Sequence, residues 1–107
     1  MTTLPPPEPE FIPLESGKCY RIIADDAWYE RRKIRDPLTK RVKTLTVLVL
    51  HVVKLNDRTV DKKLSITSYK AQQTIYELIR KGVFFGRPVE ICVYGEGFLR
   101  EYQITLL

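Results

Sequence analysis

The hydrophobic period of this sequence changes once, and that change constrains the fold more than any other feature. Across residues 18–67 apolar and polar side chains alternate in three runs separated by turn signals, the spacing of strands with a buried face. Over 69–81 the apolar positions move to Ala71, Ile75, Leu78 and Ile79, one stripe of an amphipathic helix. From Val89 onward the period of two returns. The expected order is therefore strand, strand, strand, helix, strand, strand.

The boundaries follow from local chemistry. A first strand runs over 18–24, is bent at Asp25-Asp26 by a bulge, and continues over 27–35. Asp36-Pro37-Leu38-Thr39 is a turn, since proline presets φ and the aspartate can accept from nearby amides. A second strand is expected over 42–55. Its centre, Val47-Leu48-Val49-Leu50, is apolar in both parities, so both of its faces should be covered. Asn56-Asp57-Arg58 turns the chain into a third strand over 60–67. Ser68 is suited to cap the helix and Gly82 to stop it. Val89, Ile91 and Val93 mark the fourth strand, Gly95-Glu96-Gly97 a tight connection, and Tyr102, Ile104 and Leu106 the inner face of the fifth.

Residues 1–13 carry five of the seven prolines and no apolar period. Residues 1–15 are read as an acidic, proline-rich tail and 16–107 as one folded domain, with Phe11, Ile12 and Leu14 available to pack the tail back. An apolar content of 44% supports a core without metal or disulfide staples. Cys19 and Cys92 offer one pair, but their strand positions favour buried, reduced thiols, and with His51 they do not complete a usual zinc set. The apolar run 45–53 is too short for a membrane span, and the first residues lack the layout of a secretory signal. The expectation is a cytoplasmic protein without membrane contact. Asparagine and glutamine total only four residues, a composition compatible with a thermophilic source.

Five strands with one helix between the third and fourth resemble the OB-fold, a five-stranded Greek-key barrel, over about residues 17–107. In architecture the chain resembles single-domain OB-fold proteins that bind single strands. That resemblance implies a ligand such as an oligonucleotide, bound over strands 2 and 3 and clamped by the loops joining strands 1 to 2 and 4 to 5. The same element order also suits an open antiparallel sheet with one helix packed on it.

Charge gives independent support. The net charge is +5, and residues 30–43 alone hold seven basic side chains against Glu30 and Asp36, also netting +5. The basic patch is thus local and favours an acidic partner. Single-strand binding requires cations along a track and flat rings on which bases stack. On an extended strand Tyr29, Arg31, Lys33 and Arg35 share one face, while Trp28, Glu30, Arg32 and Ile34 share the other. Lys40, Arg41 and Lys43 extend the track through the turn. Lys63 on the third strand, Tyr69 beyond it, and Tyr94 and Phe98 around the last turn complete the candidate set. Trp28 is expected to fill volume more than to stack, whereas Phe98 beside a turn glycine is a candidate exposed ring.

Enzyme readings are weaker. His51 stands among valines and leucines as a structural histidine, Asp25 and Asp26 face opposite ways, and no cofactor or metal is expected. The leading expectation is sequence-tolerant binding of single-stranded DNA or RNA, in replication, repair or nucleic-acid protection. One alternative is an assembly module that forms a homodimer through the apolar second strand. Another is a duplex-binding chromatin or transcription protein. The N-terminal tail is a candidate protein-binding peptide.

Overall fold

The computed structural model describes residues 10–36, 38–96 and 100–107. It contains β1 (Lys18–Arg35), β2 (Val42–Leu55), β3 (Arg58–Ile66), α1 (Tyr69–Arg80), β4 (Val89–Tyr94) and β5 (Glu101–Leu106). The strands form one antiparallel sheet in the order β3-β2-β1-β4-β5. β1 is the hub: its first residues pair with β4, and the remainder from Ile22 pairs with β2. The register slips around Ala24 and Asp26, so a bulge lies at the expected Asp25-Asp26 step and bends the strand there.

Local signals account for the turns. Asn56 and Asp57 both have positive φ, 48° and 68°, between the paired residues Leu55 and Arg58. That is the backbone of a two-residue hairpin loop whose twist matches its strands. The Ser68 hydroxyl accepts from the Ala71 amide at the start of α1. At the other end Gly82 has φ 74°, and the Gly82 and Val83 amides donate to the carbonyls of Ile79 and Leu78. This Schellman closure satisfies carbonyls that the helix cannot.

The main core lies between α1 and one sheet face. Ile22, Leu48, Leu50, Val52, Leu64, Ile66, Ile75, Phe84 and Ile91 are buried there together. Val47 and Val49, on the opposite face, are also fully buried. Trp28 is the cross-strand neighbour of Val49, and Phe11 lies beside Lys63 in a parallel bridge on that side. Both parities of β2 are therefore buried within the chain itself, and its apolar pattern is accounted for without a second copy.

Two expectations need correction. The sheet is not closed into a barrel. β3 and β5 are its edges, and closure would require them to pair. At Lys63 the outer row of β3 is already taken: the Lys63 amide donates to the Glu10 carbonyl and its own carbonyl accepts from Ile12. An edge strand has one free row of backbone groups, so the returning N-terminal segment excludes β5 at that point. Near the end of β3 a side-chain contact spans the gap, with the Tyr102 hydroxyl 3.1 Å from that of Thr67.

The second correction concerns the cysteines. Cys19 and Cys92 are directly opposed on β1 and β4 and are joined as a disulfide. The sequence reading placed them in strands but had no register between those strands, and register alone decides whether two thiols meet. The bond removes the argument for a reducing compartment that free thiols would have carried. No helix among the described residues is long and apolar enough to cross a membrane.

Candidate nucleic-acid interface

Beyond the Leu48–Ile66 pair β3 ends, while β1 and β2 continue as a two-stranded ribbon from Glu30–Val47 to Arg35–Val42. Six residue pairs at strand spacing make the ribbon roughly 20 Å long. Its tip is tied by the Asp36 carboxylate, which accepts from the Leu38 amide at 2.9 Å. That bond is the main reason the Asp36 carboxyl sits below the ordinary range. Lys40 completes the turn with φ 58°.

Cross-strand partners share a face, so register assigns each side chain. Tyr29 lies opposite Leu48, a residue of the core beneath α1. Arg31, Lys33 and Arg35, opposite Thr46, Thr44 and Val42, continue along this helix-side face and are exposed. Among the described residues Arg31, Lys33, Arg35, Lys40 and Arg41 have no acidic side chain within ion-pair distance. Lys43 is exposed beside the tip. Successive cations on the face are about 6.8 Å apart, with no internal carboxylate to neutralise them.

The other face is chemically committed. The Trp28 indole N–H donates to Glu30 at 2.9 Å, and the Arg32 guanidinium donates to Glu30 and to the Ser65 hydroxyl while lying 4.6 Å from the Phe11 ring centre. Donation from Trp28, then from Arg32, holds the Glu30 carboxyl below the ordinary range. Lys63 pairs with Glu10 and sits over Phe11 and Trp28, 5.6 Å from the latter. Trp28, Arg32 and Lys63 thus cover Val47 and Val49 rather than join the exposed track. This agrees with the reading of Trp28 as a volume-filling ring.

At the base of the ribbon, on the helix side, is a cleft of about 490 Å³ lined by Tyr29, Thr46, Tyr69, Gln72, Gln73 and Tyr76. It contains no ionisable acid or base apart from the phenols. Tyr29, Tyr69 and Tyr76 are 55%, 73% and 52% exposed, an unusual concentration of uncovered rings. A smaller hollow shares Tyr29 and Tyr76 and continues toward Ile79 and Phe85. Tyr76, Gln72 and Gln73 were absent from the sequence-based set. The signal was available in the helical period: 69, 72, 73 and 76 form a second stripe beside the apolar one.

The other candidates do not converge here. Tyr94 is exposed, but its neighbour Val93 pairs with Lys18, the first residue of β1, so it lies at the end of that strand remote from the ribbon. The two clamping loops implied by the OB resemblance are therefore not brought together by Tyr94. Phe98 lies outside the described residues. His51 bridges three strands, with Nδ1 2.5 Å from Asp25 and Nε2 2.7 Å from Asp61. Its hydrogen bond to Asp61, then that to Asp25, raises its pKa above the ordinary value. Cys19, Glu90 and Cys92 bring three potential metal-ligand atoms within 4.8 Å, but neither sulfur is a thiolate while the disulfide stands. The chain matches no family profile, no curated protein and no solved structure.

Proposed function

We propose that this protein binds single-stranded nucleic acid without catalysing a reaction, tolerating most sequence along its track. One observation carries the reading: Tyr29, Arg31, Lys33 and Arg35 lie in line on one exposed ribbon face that leads into the tyrosine-lined cleft. Phosphates would follow the cations while bases stack on rings, the two contacts that make single-strand binding both salt-sensitive and tolerant of sequence. Joining β3 to β5 would close the observed strand order into a five-stranded OB-type barrel, so the OB relationship stays part of the proposal. Both nitrogens of His51 are engaged by carboxylates, which supports binding over general-base chemistry. Protection of exposed strands during replication or repair is the proposed setting. The N-terminal tail, residues 1–15, is also proposed as a protein-binding peptide; its residues 1–9 lie outside the described residues, and residues 10–12 are docked on β3.

A two-stranded ribbon also fits the major groove of duplex DNA, and this favours the duplex reading as the second choice. Anisotropy titration of a labelled ~20-nucleotide single strand and of its duplex separates the two. Preference for the single strand, weakening with salt, supports the proposal. Tighter binding of the duplex replaces it, and absence of binding to either at low salt refutes both.

A further inference from the structure

The cleft holds one polar group whose orientation is fixed. Gln72 is only 6% exposed, and its Nε2 donates to two backbone carbonyls, Thr46 and Ile66, each at 2.9 Å. Both amide hydrogens are therefore spent. Turning the amide over would set Oε1 against those two carbonyls, so the acceptor must occupy the remaining position. Oε1 has no hydrogen-bond partner among the described residues, yet it is not among the atoms sealed from solvent, of which Arg100 Nε is the one without a partner. Gln72 lines the cleft, and the cleft is the open space beside it. A buried amide in the lining of the tyrosine cleft thus carries one unpaired acceptor.

The rings are placed for a planar guest. Tyr69 and Tyr76 are seven residues apart on α1, close to two turns, and Tyr29 faces them from β1. Gln73 donates to the Tyr69 hydroxyl at 2.9 Å, which restrains that ring. The volume suits one small planar ligand. Arg31, opposite Thr46, is the first cation beyond the cleft, within reach of a phosphate attached to such a guest.

We propose that this cleft captures a single nucleobase carrying an exocyclic amine, adenine, cytosine or guanine, with the amine donating to Gln72 Oε1. It deepens the single-strand reading and rests on it: the track tolerates any sequence, and this one position does not. Thymine has no exocyclic amine: where adenine places its amine thymine carries O4, acceptor against acceptor, and its one donor, the ring N3–H, meets Oε1 only from a shifted pose. A fixed amide cannot rotate to relieve that contact without giving up two hydrogen bonds to the backbone.

The test uses the intact protein and three 12-nucleotide strands: oligothymidine, the same strand with one central deoxyadenosine, and the same strand with one central purine deoxyriboside, which lacks the amine. The adenine strand should bind about five- to tenfold tighter than oligothymidine, the effect of one hydrogen bond. The purine strand should show little of that gain. Tyr76→Ala, which removes one ring of the cleft, should weaken both strands and shrink the adenine-to-thymine ratio between them. Equal binding of all three strands overturns the pocket and leaves the single-strand reading standing. An equal gain from adenine and purine overturns the role of Gln72 Oε1. Failure of every strand to bind removes the single-strand reading itself, and the pocket with it.

Discussion

Replacing Arg31, Lys33 and Arg35 together by glutamine tests whether the ribbon face is a phosphate track. Five ribbon cations lack an acidic partner among the described residues: these three, and Lys40 and Arg41 at the tip. Each phosphate neutralised on a single strand adds about 0.7 to the slope of log affinity against log salt, so five contacts give a slope near −3.5. Between about 50 and 200 mM salt the native affinity should then fall by roughly 100-fold, and that of the triple variant by only about sevenfold. The readout is fluorescence anisotropy with a ~20-nucleotide strand across a salt series, with thermal melting as the control. All three side chains are exposed, so unfolding stability should change by no more than about 0.5 kcal/mol per site. A slope unchanged in the triple variant would refute the track, whatever the affinity at one salt concentration.

Three further outcomes are expected. His51 has its pKa raised by two carboxylates, so its contribution is fully present below the unfolded value near 6.5 and disappears as pH rises through the higher folded value. His51→Gln should therefore lower the melting temperature at pH 5 by an amount equivalent to about 1 kcal/mol and have far less effect at pH 9, as a melting series in pH will show. Reducing the Cys19–Cys92 bond opens a 73-residue separation, which chain entropy values at about 4 kcal/mol; urea denaturation with and without reductant measures it. Ser68→Ala removes the cap on the Ala71 amide and should cost about 1 kcal/mol in the same assay.

Local chemistry made much of the fold legible. Ser68 and Gly82 bracket α1, Asp25-Asp26 marks the bulge, and strand parity placed Tyr29, Arg31, Lys33 and Arg35 on one face before any register was known. Such signals act within a few residues of themselves. The open seam was not legible, because it depends on which of two distant segments, 10–12 or β5, takes the outer row of β3. The disulfide depends likewise on the register between strands 73 residues apart. The cleft was half legible. Tyr29 and Tyr69 stood out as rings near charge, but the role of Gln72 emerges only when α1 is laid against Thr46 and Ile66.

The division of β1 between two partners has a kinetic consequence. β1, β2 and β3 form a meander of sequential hairpins, and β4 with β5 forms another hairpin, so each can assemble from neighbours in the chain. The β1–β4 ladder is different: it joins Lys18 to Val93 and must close nearly the whole chain. Closing distant contacts is the slow part of folding a β-rich topology. The Cys19–Cys92 bond sits inside that ladder, so it should fasten the step that forms last. Because the bond keeps that loop closed in the unfolded chain, reducing it is expected to slow folding far more than it accelerates unfolding. Stopped-flow chevrons of the oxidised and reduced protein would show this as a lowered folding limb beside a nearly shared unfolding limb.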